Sequence, residues 1–169
     1  MIILSAGTMV SAQKVKWMSF QDALEASEKS PRKIFIDVYT DWCGWCKEMD
    51  KHTFTDTAIV RILNEKYYPV KLDAESKKTF KYFEHTFKYK PEFRANELAV
   101  ALLNGEMGYP SLVFLNEERK VLTKIPGAHK PEGLKPILLF LHGGHYNTKS
   151  FDEYLKSYND SISHKTIAK

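Results

Sequence analysis

Ile34-Phe35-Ile36-Asp37-Val38-Tyr39-Thr40-Asp41-Trp42-Cys43-Gly44-Trp45-Cys46-Lys47 is the stretch that decides the fold. Its first six residues are an apolar, β-branched and aromatic run, which predicts a buried central strand. The Cys pair follows at the strand-to-helix junction, and these are the only two cysteines in 169 residues. A cysteine on the first turn of a helix meets unpaired backbone N–H groups and the positive end of the helix dipole, which stabilise a thiolate. Cys43 is therefore the candidate nucleophile. Cys46, one turn deeper, is placed to attack a mixed disulfide formed at Cys43, which makes it the candidate resolving thiol.

Other uses of the pair fit less well. A structural zinc site needs about four ligands, and no second Cys pair or closely spaced His pair accompanies this one. A stabilising disulfide gains most by closing a long loop, whereas this one closes a very short loop. Inert buried thiols sit badly beside the flanking Trp, Gly and Lys, which argue for an exposed turn.

With 43% hydrophobic and 13% aromatic residues, the chain suits one domain with a sizeable core, expected over 17–160 with a frayed tail at 161–169. A net charge of +4 is mild and scattered, so it gives no reason to expect a nucleic-acid or membrane partner. Residues 1–12 are apolar and uncharged, and Val10 and Ala12 fit the −3 and −1 positions of a signal-peptidase site. The segment reads as a short signal peptide lacking its basic region, or else as an apolar arm. In the first case the protein is periplasmic or secreted; in the second, cytoplasmic. No run is long enough to span a bilayer. One Cys pair without further disulfides in an oxidising compartment would suit a handler of disulfides.

Along the chain, Ser19-Phe20-Gln21-Asp22 has the form of a capping box opening a helix that buries Phe20, Ala23, Leu24 and Ser27. A helix from about Cys43 is expected to run towards His52, and Asp56 to cap another. Residues 69–73 read as a short strand. Residues 74–105 read as helical, ending at Asn104-Gly105. Within them, 77–94 interleave six basic residues with aromatics, which resembles a nucleic-acid-binding stretch; their three- and four-residue spacing favours an amphipathic helix with its aromatics in the core. Residues 109–115 and 120–125 read as a hairpin, 134–141 as a closing helix, and Phe151, Tyr154, Leu155 and Tyr158 as one face of a further helix.

This order of elements resembles the thioredoxin superfamily, an α/β fold with a central mixed sheet flanked by helices. Asp37, six positions before Cys43, matches the family's buried acid, which would have a raised pKa and take the proton of Cys46; by itself it is also a plain strand-edge acid. Lys71 matches the lysine paired with that acid, although alone it is an ordinary strand lysine. Tyr109-Pro110 matches the family's cis-proline, which faces the Cys pair and shapes the edge along which a substrate chain lies. Gly127 matches the glycine after the last strand, or is a turn residue. The chain departs from the family by Trp45 between the cysteines, by an insertion, expected to be helical, between Lys71 and Pro110, and by an extra C-terminal helix. These features are similar to secreted bacterial thioredoxin-like proteins and the periplasmic domain of thiol:disulfide interchange proteins.

The resemblance implies a thiol-disulfide oxidoreductase that reduces substrate disulfides, with Cys43, Cys46, Asp37 and Lys71 catalytic and Trp42, Gly44, Trp45, Tyr109 and Pro110 contacting substrate. It implies disulfide-bearing substrate proteins and a membrane or soluble electron donor as partners, a monomer, and no cofactor or metal beyond the Cys pair. A disulfide-introducing oxidase or isomerase is the alternative direction. A client- or metal-binding module is the alternative of another class.

Overall fold

The run Ile34–Tyr39 forms strand β1, and all of it but Tyr39 is buried because it has a strand on each side. The computed structural model describes residues 14–167, with side chains through Ser163; the segment 1–12, and its reading as a signal peptide, lie outside the described residues. In chain order, α1 (Phe20–Lys29) precedes β1, and α2 (Gly44–Glu48) follows it and continues as a wider π-helical turn, Met49–Thr53. Then come α3 (Thr57–Lys66), β2 (Tyr68–Asp73), β3 (Phe80–Tyr82), β4 (His85–Phe87), β5 (Tyr89–Lys90), β6 (Ala95–Asn96) and α4 (Glu97–Leu102). The chain closes with β7 (Ser111–Leu115), β8 (Val121–Pro126), α5 (Pro131–His142) and α6 (Phe151–Ile167).

The central sheet has the order β2-β1-β7-β8; β1 and β2 run parallel, and β7 and β8 are antiparallel to their neighbours. Side chains alternate across β1, so Phe35 faces one core, with Met49, Phe54, Leu63, Tyr67 and Leu138, while Ile34, Ile36 and Val38 face the other, with Phe20, Ala23 and Leu98. Asp37 has the parity of Phe35. Its charge is thus carried on the face occupied by α3, α5 and the π-helical turn.

Local signals place the ends of the elements. Ser19 Oγ accepts from the Asp22 N–H at 3.1 Å and donates to the Asp22 carboxylate at 2.7 Å, and Asp56 caps α3 through the N–H groups of Ala58 and Ile59. The stop after α4 uses left-handed backbone at Asn104 (φ 52°) and Gly105 (φ 76°).

The insertion is not the helix that its aromatic spacing predicts. Residues 80–87 form a hairpin of β3 and β4, β5 pairs with β6, and the helical parts are a 3-10 turn at Pro91–Phe93 and α4. Phe80 and Tyr82 alternate on β3, and both set their rings edge-on against Phe20 of α1, at 6.1 and 5.5 Å. Packing onto α1 selects period two over the helical spacing. The aromatics are accordingly not all core: Phe83, at the hairpin turn with φ 52°, and Phe93 are more than half exposed.

Helix α6 continues past Ser161 to Ile167. The hydroxyls of Ser161 and Ser163 bond back to the carbonyls of Tyr158 and Asn159, at 2.7 and 3.0 Å, and so do not compete with the helix.

Candidate active site

Cys43 occupies the N-cap of α2, with extended backbone (φ −72°, ψ 106°), and its Sγ accepts the Cys46 N–H at 3.1 Å. A backbone donor aimed at this sulfur favours negative charge on it. The Cys43 N–H donates to the Thr40 carbonyl at 3.1 Å, which fixes the turn between β1 and α2. Cys43 and Cys46 are joined in a disulfide, with Cα atoms 5.3 Å apart, and both are nearly fully buried.

Asp37 is fully buried in β1, directly opposite Lys71 in the parallel register with β2. The Lys71 Nζ lies 2.8 Å from Asp37 Oδ2, an ion pair at hydrogen-bonding distance. Burial raises the Asp37 carboxyl from 3.8 to about 6; the Lys71 charge opposes this and the Asp50 charge adds to it. For Lys71, burial pulls the ammonium down, but the carboxylates of Asp37 and Asp50 outweigh it and hold it above the ordinary lysine value.

Asp50, which is not among the residues predicted from sequence, completes the inner group. It lies on the π-helical turn, four residues past Cys46, and its carboxylate bonds the Lys71 ammonium. The i, i+4 spacing from Cys46 was its only signal, and that spacing is shared by many unremarkable helix acids. Whereas Asp37 is sealed, the Asp50 side chain is 45% exposed, so the Asp37–Lys71–Asp50 chain leads from the core to solvent. The rings of Tyr39, Trp17 and Phe54 stand around the same ammonium, with centroids at 4.7, 5.4 and 5.4 Å.

On the outer side, Trp42 and Trp45 are about two-thirds exposed. Trp42 is held in place: its indole N–H donates to Glu75 at 3.1 Å and its ring meets Tyr109 edge-on at 5.8 Å. The Tyr109–Pro110 peptide bond is cis, and the Pro110 carbonyl accepts the Gly127 N–H at 2.8 Å. Gly127 has φ 91°, a conformation that favours glycine. Trp45, Tyr109, Pro110, Gly127 and Ala128 line one shallow cleft beside the disulfide. Gly44 has no comparable requirement, since a Cβ there would meet nothing within 4 Å. The sequence-predicted residues therefore fall into two groups, Asp37 and Lys71 on the inner side and Trp42, Trp45, Tyr109 and Pro110 around the outer rim, with the cysteines linking β1 to α2.

Known proteins share this fold. The family model described as "Thioredox_DsbH: Protein of unknown function, DUF255" matches residues 8–134, well over half of the chain. The chain belongs to this DUF255 family. Among solved structures, the DUF255 chain is similar to a putative disulphide-isomerase from Bacteroides thetaiotaomicron, with 26% identity, a TM-score of 0.56, and 78% of this chain and 96% of that one covered. It also matches a structure described as DsbH oxidoreductase, with 20% identity, a TM-score of 0.57, and 82% and 91% covered; at that identity the likeness shows the thioredoxin fold. Curated relatives include the thiol:disulfide interchange protein DsbD of Pectobacterium atrosepticum, 47% identical over 38 residues, or 22% of this chain and 7% of that one. An uncharacterized protein of Caenorhabditis elegans is 27% identical over 104 residues, 61% of this chain and 12% of the relative. The chain thus spans only about a tenth of the length of these curated relatives. Among the described residues, no helix is long and apolar enough to cross a membrane.

Proposed function

We propose that this DUF255 protein is a thiol-disulfide oxidoreductase working in the reducing direction on disulfide-bearing proteins in a periplasmic or secreted setting. The observation that carries the reading is the Cys43–Cys46 pair at the head of α2, with a backbone N–H on the Cys43 sulfur and a buried acid of raised pKa on the strand leading into it.

In the reduced enzyme, the Cys43 thiolate attacks one sulfur of the substrate disulfide. A Cys43–substrate disulfide forms, and the other substrate sulfur leaves as a thiolate that takes a proton from water. The Cys46 thiol then gives its proton to Asp37, and its sulfur attacks Cys43 Sγ. This re-forms the Cys43–Cys46 disulfide and expels the second substrate thiolate, so two electrons have passed to the substrate. Lys71 balances the Asp37 carboxylate; to clear the proton it passes one of its own to Asp50, which releases it to water, and takes the proton held by Asp37 in its place. The exposed Trp42 and Trp45 rings and the cleft at Tyr109 and Pro110 receive the substrate strand. A membrane or soluble dithiol donor restores the reduced pair, and the cycle uses no further cofactor.

Replacing Cys46 with Ser removes the resolving thiol, so Cys46→Ser is expected to accumulate a mixed disulfide on Cys43 with oxidised protein substrates. Mass spectrometry of the non-reduced protein reads this out. If no adduct forms with any oxidised partner tested, the mechanism fails.

A further inference from the structure

The chain ahead of α1 is fastened over the Asp37–Lys71 ion pair at several points. Asn64, on α3, accepts from the Lys16 N–H at 2.8 Å through Oδ1 and donates to the Lys14 carbonyl at 2.9 Å through Nδ2. Two residues further on, the Met18 N–H donates to the Pro69 carbonyl at 2.8 Å, and Met18 pairs with Val70 as a parallel bridge beside β2. Trp17 lies between these fastenings. Its ring meets Phe54 edge-on at 5.0 Å and Phe35 at 6.2 Å, with the Lys71 ammonium 5.4 Å from its centroid.

We propose that residues 14–18 are a working part of the exchange site: Trp17, pinned by Asn64, is a positioning residue that holds the Lys71 ammonium against Asp37 and leaves Asp50 as its outlet to solvent.

The proposal rests on Asp37 being the proton acceptor for Cys46, and extends that reading to a segment it does not include. A lysine ammonium on a flexible four-carbon stem keeps one position only when walls confine it. Here the groups around it are Asp37 and Tyr39 from β1, Asp50 and Phe54 from the π-helical turn and its end, and Trp17 from the arm, with Lys14 on the wall of the same cleft. Val15, Trp17, Phe54 and Thr55 line that cleft next to Lys71, so indole removal leaves the ammonium free to turn outward. Asp37 is not among the cleft's walls and stays buried. It would lose its counter-charge without gaining water, and its proton affinity would rise.

The test is a carboxyl-carbon NMR titration of Asp37 in the disulfide form, in which neither thiol titrates and no catalytic turnover is needed. Trp17→Ala is expected to move the Asp37 midpoint upward by about one pH unit, a tenfold gain in proton affinity. Asn64→Ala is expected to move it in the same direction by less, and Trp17→Phe, which keeps a ring over the ammonium, to restore it. In a Lys71→Ala background the Trp17→Ala change should add nothing, because the residue through which it acts is gone. An unchanged midpoint in both Trp17→Ala and Asn64→Ala, a downward shift, or a shift of equal size without Lys71 overturns the proposal. If Trp17→Ala does not fold, Asn64→Ala decides: an upward shift that disappears in the Lys71→Ala background supports the proposal, and an unchanged midpoint overturns it. A failed Cys46→Ser trap would instead overturn the oxidoreductase reading and leave these titrations unaltered.

Discussion

Asp37 is costly to the fold when ionised, and this cost is measurable. Its carboxyl titrates at about 6 in the folded chain and near 3.8 when free, so between those values the folded state binds more protons than the unfolded one. The stabilisation from the neutral acid is fully present below pH 3.8 and is lost as pH rises through 6. Asp37→Asn in the disulfide form is therefore expected to be more stable than the parent at pH 8, by on the order of 2–3 kcal/mol, and to lose that advantage below pH 4. Urea denaturation at the two pH values checks this; equal stability increments at both would show that the carboxyl does not titrate differently on folding. The same acid gives the reduced enzyme its pH dependence. Resolution of the mixed disulfide needs the Asp37 carboxylate, so its single-turnover rate is expected to climb as pH rises through about 6, and the climb to vanish in Asp37→Asn.

At the scale of elements, the insertion is held by one side chain more than by its short strands. Asn96 is fully buried; its amide donates to the carbonyls of Ser76 and Lys78, at 2.9 and 2.8 Å, and its Oδ1 caps α4 by accepting from the Leu98 N–H at 3.0 Å. Asn96→Ala is expected to destabilise the protein by about 2–4 kcal/mol, from the lost cap and two carbonyls left unpaired. Asn96→Asp keeps the cap but sets a buried carboxylate oxygen against the two carbonyls, and is expected to destabilise at neutral pH at least as much as Asn96→Ala, which equilibrium urea unfolding resolves. Short-range signals make the surrounding elements legible in sequence: the caps at Ser19 and Asp56, the continuous apolar run of 34–39 and the hairpin of β7 and β8 depend on neighbours a few residues away. The insertion did not yield to the same reading, because Phe80 and Tyr82 are ordered by Phe20, some sixty residues earlier in the chain. The site divides likewise. Cys43, Cys46 and Pro110 carry recognisable local patterns, whereas Asp50 and Trp17 acquire their place only through Lys71, which the fold brings to them.

For the whole molecule, the sheet order β2-β1-β7-β8 places the acid pair inside and the Trp42, Trp45 and Pro110 rim outside, with the disulfide between. The additional helix α6 packs on the far side of α5, where Phe140 meets Phe151 and Tyr154 at 5.3 and 5.2 Å. Nothing in that contact reaches the cysteines. A chain ending at Lys149 is therefore expected to melt earlier, since it uncovers Phe140, and to keep the thiol chemistry of the full protein; a thermal melt paired with a disulfide-reduction assay tests both parts. The direction of electron flow is the central claim. It is tested most directly by the equilibrium reduction potential of the Cys43–Cys46 couple, measured against a dithiothreitol series and read from tryptophan fluorescence. A value at or below about −230 mV is the result predicted for a reductant of substrate disulfides, and a value above about −150 mV would contradict it and make the protein a disulfide-introducing oxidase.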